Sequence, residues 1–312
     1  MNPEIRRAAE ILRAGGLVAF PTETVYGLGA DASSAAAVAR LYAAKRRPAD
    51  HPVIVHFATT EAAFSFAREI PPEARKLAER FWPGPLTLIL KRSAKAKDFV
   101  TGGQDSVGLR VPSHPVAQAL LREFGGGVAA PSANLFGNVS ATTAAHVRDE
   151  MEVDLVLEGG ASDVGIESTI VDLTSGVVLL RPGRISGEEI EELLQVKVKS
   201  PDASSPRHSG GLERHYAPKT PAVLVPPHEL DAEIAKRGVG VAVLAFSRPD
   251  ERVDYWIRMP RDPQAYAQRL YAALRELDTA GCETILVESP PETTEWTAVR
   301  DRLSRAAASP AP

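Results

Sequence analysis

The stretch LVAFPTETVYGLGADA, residues 17–32, contains the pattern on which the predicted fold rests. Its apolar start, residues 17–21, is typical of a short buried strand that a proline ends. The rest is polar and punctuated by Gly27 and Gly29, so we expect a loop there, since glycine allows close backbone approach or a positive φ. A serine-capped helix is predicted over 33–45. The stretch therefore predicts a strand–loop–helix unit with polar side chains at the end of the strand.

Short apolar segments alternate with helical ones from this stretch outward, up to about residue 200. Helices are predicted over 4–14, 60–80 (in two pieces broken at prolines 71 and 72), 114–124 and 188–194. The segments typical of strands are PVIVHF (52–57), LTLIL (86–90), SVGLRVP (106–112), GVAAPSAN (127–134), DLVLEGG (154–160), STIVDLT (168–174) and VVLLRPG (177–183). Crossovers and hairpin-like spacings both occur, so residues 1–200 are predicted to form an α/β domain with a mixed sheet.

Residues 201–220, PDASSPRHSGGLERHYAPKT, interrupt the alternation and are poor in apolar side chains. This composition is typical of a linker. A generic tether accounts for most of it, but a mere spacer does not need the basic and aromatic cluster Arg214-His215-Tyr216. Apolar strands and a helix over 263–279 follow, so we predict a smaller α/β domain over 221–312.

Composition excludes several classes of protein. The 312 residues contain 36 Lys and Arg against 40 Asp and Glu, which argues against a globally basic nucleic-acid coat protein but leaves room for a local basic groove. An apolar content of 44% excludes a wholly disordered chain. The single cysteine, Cys282, excludes an internal disulfide and a four-cysteine zinc site, and indicates a cytoplasmic protein. No apolar run approaches the length of a membrane span, so we expect no membrane association.

Cations lie close to the ends of the predicted strands and helices, where open α/β sheets bind ligands. Lys45, Arg46 and Arg47 follow one another at a helix end, where the helix dipole alone explains them, and a phosphate clamp is the functional alternative. Arg110 lies within an apolar strand and must meet either an internal carboxylate or the carboxylate of a ligand. Arg181 ends another strand, either in an ordinary turn or as a phosphate partner. The residues alone leave these alternatives open.

Hydroxyl and amide side chains accompany the cations, at Thr22, Thr24, Tyr26, Ser132, Asn134, Ser140, Thr142, Thr143 and Ser168. The sequence shows no Cys–His or Ser–His–Asp set, no P-loop and no histidine pair at metal-ligand spacing. Phosphoryl and nucleotidyl transfer depend on positioning and charge stabilisation and need no enzyme-linked intermediate. The residue inventory favours that chemistry.

An ordered set of segments resembles the threonylcarbamoyl-AMP synthase family, in its YrdC-like domain: PTETVYGLGADA, KRRPADHPVIVHF, WPGPLTLIL, GLRVPSHP, APSAN, ESTIVDLT and LLRPGRIS. They cover residues 15–186 nearly continuously, and HYAPKTP in the linker is similar to the two-domain branch. The resemblance implies a twisted mixed-sheet YrdC-like domain followed by a smaller Rossmann-like α/β domain. It also implies that L-threonine, bicarbonate and ATP form threonylcarbamoyl-AMP and pyrophosphate. The product then passes to a separate transferase complex that modifies tRNA, and direct contact with tRNA is left open.

The resemblance also assigns site residues by matching position. The L-threonine pocket is expected to comprise Thr24, His56, Arg110, Ala130 and Ser168. The ATP side is expected to comprise Lys45, Arg47, His51, Ser106, Ser132, Asn134, Ser140, Arg181, His215 and Tyr216. Lys45, Arg47 and Arg110 are the expected catalytic groups, and His215 and Tyr216 resemble a lid that excludes water.

Mg²⁺ is expected to arrive with ATP, without ligands from protein side chains. The chain departs from the family pattern at Phe136 and Ala141, where serine and proline are usual. The resemblance also implies a large, positively charged concave surface on the first domain. The alternative function is an RNA-binding or regulatory module that uses this basic concave face.

Overall fold

A nine-stranded sheet carries the first part of the chain in the computed structural model, which describes residues 2–308. Its strands, in chain order, are β1 (Val18–Phe20), β2 (Gly27–Asp31), β3 (Val55–His56), β4 (Leu86–Lys91), β5 (Ser106–Arg110), β6 (Val128–Ala129), β7 (Leu155–Val156), β8 (Thr169–Asp172) and β9 (Val178–Arg181). Their order in the sheet is β7-β1-β2-β6-β3-β5-β4-β8-β9. The pairs β1–β7, β3–β5 and β4–β8 are parallel and the other pairs antiparallel, so the predicted mixed sheet is confirmed.

Helices cover both faces of this sheet. They are α1 (Pro3–Arg13), α2 (Ala35–Lys45), α3 (Thr60–Phe64), α4 (Pro72–Phe81), α5 (Asp98–Thr101), α6 (Pro115–Phe124), α7 (Ala144–Arg148) and α8 (Gly187–Leu194). In β1, Val18 packs with α1 and α6, whereas Ala19 belongs to the cluster that contains the buried side chains of α2 and α4. Since successive strand residues point to opposite faces, these helix pairs lie on opposite sides of the sheet. Two helices form within the 60–80 segment as predicted, but α3 ends at Phe64, before the prolines, and only the start of α4 coincides with Pro72.

The strand β2 corrects the prediction that residues 22–32 form a loop, which is wrong for residues 27–31. Glycine has a low intrinsic preference for strands, and Gly27 and Gly29 made the segment resemble a loop. The strand pairs antiparallel with both β1 and β6, so it lies inside the sheet. A Cβ on Gly29 would lie 2.9 Å from Phe20 Cε1 and 2.9 Å from Val128 Cγ1. Because Gly29 has no side chain, β2 fits between β1 and β6 at this position.

We expect Gly29→Ala to lower the free energy of unfolding by about 1–3 kcal/mol, because the added methyl group overpacks this site. Gly27→Ala is the matched control in the same strand, since a Cβ there would make its nearest contact at 3.4 Å, an ordinary distance. Urea titration followed by circular dichroism measures both variants. Equal losses in the two variants would contradict the packing argument.

A second unit begins at Leu212 and also takes in residues 137–140, so the division falls inside the segment predicted as a linker. Its strands β10 (Ala222–Val225), β11 (Val241–Ala245), β12 (Tyr255–Arg258) and β13 (Thr284–Glu288) form a parallel sheet in the order β10-β13-β11-β12. Its helices are α9 (Leu230–Arg237), α10 (Pro263–Asp278) and α11 (Thr297–Ala306). The prediction of a smaller α/β domain after a mixed-sheet domain is confirmed. Among residues 2–308, no helix has the length and apolarity that crossing a bilayer requires.

Candidate active site

Arg110, the last residue of β5, is almost fully buried and meets an internal carboxylate. Its Nη2 donates to Glu23 Oε1 at 2.7 Å, and its Nε donates to the main-chain oxygen of Gly84 at 3.3 Å. Sequence reasoning left open whether this arginine meets a protein carboxylate, and it did not single out Glu23. The signal was present, because Glu23 is the only carboxylate between the strand β1 and the strand β2.

His56 is the neighbour of Arg110 in the sheet, since the parallel register of β3 and β5 pairs these two residues. Burial of the imidazole, together with the positive charge of Arg110, lowers the pKa of His56 to about 3. The ring is therefore neutral at physiological pH. Its Nδ1 has no hydrogen-bond partner among residues 2–308. A neutral ring with a spare nitrogen suits a small polar ligand better than an anion.

The other residues assigned to the threonine pocket are also buried. Thr24 Oγ1 lies 2.9 Å from the hydroxyl of Thr22. Ala130 follows β6, and its N–H donates to the main-chain oxygen of Ile54 at 3.0 Å. Ser168 precedes β8, and its Oγ accepts a hydrogen bond of 3.1 Å from Arg181 Nη2. The last contact joins a residue assigned to threonine with one assigned to ATP.

Lys45 ends α2 and is completely enclosed. Its Nζ donates to the main-chain oxygens of Ser132, at 2.5 Å, and of Asn134. Burial lowers the pKa of this amine to about 7, and the charge of Arg47 adds to the decrease while that of Glu150 opposes it. Lys45 therefore anchors the loop that follows β6 and holds an ammonium group that is easily deprotonated.

Arg47 lies two residues beyond Lys45, after Arg46, whose left-handed backbone (φ 52°) ends α2. Its Nη2 donates to the main-chain oxygen of Pro52 at 2.8 Å, and its guanidinium lies 5.2 Å from the ring centroid of Phe136. The ring of His51 lies 5.3 Å from the same phenyl ring, and partial burial lowers the pKa of His51, with the charge of Arg47 contributing. Phe136, a departure from the family pattern, thus packs between two residues assigned to ATP.

Arg181, at the end of β9, makes contacts on both sides of its guanidinium. Its Nε donates to Ser168 O at 3.0 Å, and its Nη1 donates to Ser209 O at 2.9 Å. Arg47 Nη2 lies 3.4 Å from the hydroxyl of the same Ser209. Ser106 and Ser209 line one small cavity, together with His208. The segment after residue 200 therefore reaches two of the cations assigned to ATP, which the sequence did not indicate for these residues.

Ser140, His215 and Tyr216 belong to the second unit. The main-chain oxygen of Ser140 accepts a hydrogen bond of 3.3 Å from Arg275 Nε. Tyr216 has a left-handed backbone (φ 61°), and its ring packs 4.2 Å from that of His215 and 5.1 Å from the guanidinium of Arg302. Both lid residues are buried, and the rings contact each other. Their assignment to ATP, like that of Ser140, stays a prediction.

Comparison with known proteins identifies the family. Residues 10–183 match the Sua5_yciO_yrdC family, described as telomere recombination. Residues 185–308 match Sua5_C, the threonylcarbamoyl-AMP synthase C-terminal domain. The chain belongs to the threonylcarbamoyl-AMP synthase family.

Members of the threonylcarbamoyl-AMP synthase family resemble this chain over nearly its whole length. The synthase of Pyrococcus abyssi is 40% identical over 97% of this chain and 94% of its own. That of Bacillus subtilis is 39% identical over 98% of this chain and 93% of its own. The crystal structure of P. abyssi Sua5 complexed with L-threonine has a TM-score of 0.90 at 39% identity, and covers 97% of this chain and 94% of that one. The predicted family, fold and threonylcarbamoyl-AMP synthase activity are confirmed.

Proposed function

We propose that the first unit binds L-threonine beside ATP and joins them through bicarbonate, releasing threonylcarbamoyl-AMP and pyrophosphate. The observation that carries this proposal is the contact between Ser168 and Arg181, because it links the residues assigned to the two substrates. The P. abyssi relative with bound L-threonine supports a threonine pocket in this chain. The reacting groups of two substrates held this close would need little further motion to meet.

Threonine would bind through groups of complementary charge and polarity. Arg110 offers its guanidinium to the carboxylate, in the fork geometry that arginine and carboxylates share. The hydroxyls of Thr24 and Ser168 and the neutral ring of His56 supply hydrogen bonds for the rest of the molecule.

The reaction has two bond-forming steps. The threonine nitrogen attacks the carbon of bicarbonate and water leaves, which gives N-carboxythreonine. A carboxylate oxygen of this carbamate then attacks the α-phosphorus of ATP, and the bond from that phosphorus to the oxygen of the diphosphate breaks. Lys45, Arg47 and Arg181 would stabilise the negative charge on the phosphates and on the departing pyrophosphate, so no enzyme-linked species is needed.

Mg²⁺ is proposed to accompany ATP. Within residues 2–308, no group of three or more His, Cys, Asp or Glu side chains is close enough together to hold a metal ion. The donor set for Mg²⁺ would therefore be the phosphate oxygens and water, as is common for this ion at nucleotide sites. The cations of the protein would meet the phosphate oxygens that the metal leaves uncovered.

The product is a mixed anhydride, and we propose that it is passed in the cytoplasm to a separate transferase complex that modifies tRNA. The decisive experiment is mass spectrometry of the adenylate formed from ATP, threonine and ¹³C-bicarbonate. We expect a product that carries the label, and pyrophosphate release that needs all three substrates. Salt-sensitive RNA binding without pyrophosphate release would instead favour the RNA-binding module.

A further inference from the structure

We propose that Glu23 is a positioning residue that aims Arg110 at the carboxylate of threonine and makes the pocket selective for a zwitterionic amino acid. This inference rests on the proposed function. Glu23 lies in the segment between β1 and β2, and its side chain is 8% exposed against 5% for that of Arg110. The two charged groups therefore interact with little screening by water.

Glu23 is held in place from several directions. Its Oε1 accepts the hydrogen bond from Arg110 Nη2, and its Oε2 accepts one of 3.1 Å from the backbone N–H of Ser113. Its main-chain oxygen accepts a hydrogen bond of 2.7 Å from the N–H of Val164. Both the backbone and the carboxylate of Glu23 are thus fixed, so the direction of the carboxylate is set before any ligand binds.

This arrangement orients the guanidinium of Arg110. A planar group held at Nη2 by Glu23 and at Nε by the carbonyl oxygen of Gly84 cannot rotate freely. Nη1 makes no hydrogen bond within residues 2–308. The edge of the guanidinium that carries Nη1 is consequently the one left for a ligand carboxylate.

The charges of the pair determine what class of ligand fits. Glu23 and Arg110 together are neutral, so a bound carboxylate leaves the buried group of three with a net negative charge. An uncompensated buried charge is strongly unfavourable. The ammonium group of an amino acid supplies the missing positive charge. The pocket should therefore prefer zwitterions over simple carboxylates that lack an amine.

The test compares two ligands on two proteins. Threonine and threonine amide, which lacks the carboxylate, are titrated by calorimetry into the wild-type chain and into Glu23→Gln. We expect the variant to lose about tenfold or more in affinity for threonine, because a hydrogen bond to a charged group is disturbed. The affinity for threonine amide should change far less, and the KM for ATP should stay within about twofold. Equal losses for both ligands, or no loss, would overturn the proposal.

Two controls separate this role from a structural one. Asp105→Asn removes a surface carboxylate of the first unit that pairs with Arg68, and it should leave threonine binding unchanged. The second control is 3-hydroxybutyrate, which has the carboxylate of threonine but no amine. If the pocket prefers zwitterions, the wild-type chain should bind 3-hydroxybutyrate more weakly than threonine. Equally tight binding of the two ligands would contradict the proposal. If the wild-type chain neither binds threonine nor releases pyrophosphate, the proposed function itself fails; an active wild type with an unaffected Glu23→Gln refutes only this inference.

Discussion

Arg110→Ala is expected to lower kcat/KM for threonine by about a hundredfold or more, because truncating one member of a buried charge pair also removes the group proposed to bind the substrate carboxylate. Pyrophosphate release at varied threonine concentration measures the effect. The KM for ATP should change much less, since the residues assigned to ATP keep their contacts. Full activity in a folded variant would show that the assigned site is wrong.

The same substitution should also destabilise the protein, since it leaves Glu23 buried without its partner. Breaking such a pair costs about 3–5 kcal/mol. The double variant Arg110→Met/Glu23→Gln removes both charges and should recover most of that stability in urea titrations. Activity should remain lost in the double variant. If activity returned together with stability, Arg110 would be needed only for folding.

Lys45→Met is expected to lower kcat/KM for ATP by about 10²–10³, the size of effect seen when one preorganised donor to developing charge is removed. The buried ammonium is close to the loop after β6 and is proposed to meet the phosphates. Steady-state kinetics with varied ATP measures the loss, and threonine binding measured without ATP is the control. A parallel loss of threonine binding would show that the variant disturbs the loop at Ser132 and Asn134 instead.

The lowered pKa of Lys45, about 7, gives this residue a pH signature. In the free enzyme, kcat/KM for ATP should fall as pH rises above about 7, because the amine loses its proton. The free energy of unfolding should instead increase with pH over the same range. In the unfolded chain this lysine keeps its proton up to about pH 10.4, so between about pH 7 and pH 10.4 the unfolded chain binds more protons than the folded one. A rise in pH through this range therefore favours the folded state. In Lys45→Arg the charge persists at all these pH values, so the fall in kcat/KM should vanish from the remaining activity. An identical pH profile in that variant would assign the titration to another group.

The spacing of apolar residues in the sequence predicted most of the helices and strands that bury one face at a regular period. Ile5, Ala8, Ala9 and Leu12 recur at helical spacing in the segment predicted as a helix over 4–14, and all four are buried in α1. The strand β12 was missed, because Tyr255 is exposed and the segment lacks an apolar alternation. The strand β2 was also missed, because glycine has a low preference for strands. Its extended backbone is instead imposed by pairing with β1 and β6.

The site shows a similar division between local and long-range information. The apolar strand around Arg110 was enough to predict that this arginine needs an anionic partner. The partner, Glu23, lies 87 residues away in sequence. No local pattern reports a pairing that only the sheet order creates. For the same reason, the composition of residues 201–220, which is typical of a linker, did not predict the contacts of Ser209 with Arg47 and Arg181.

The cations assigned to the substrates are all held by the main chain, which affects how far the surrounding sequence can change. Lys45, Arg47, Arg110 and Arg181 each donate to at least one main-chain carbonyl oxygen. Every amino acid carries such an oxygen, so the residues that supply these acceptors can be replaced without loss of the contact as long as the chain path is kept. The placement of these four cations therefore depends little on the identity of the side chains at the residues that supply the acceptors. The contact of Glu23 with Arg110 has no such freedom, since it exists only while position 23 remains acidic.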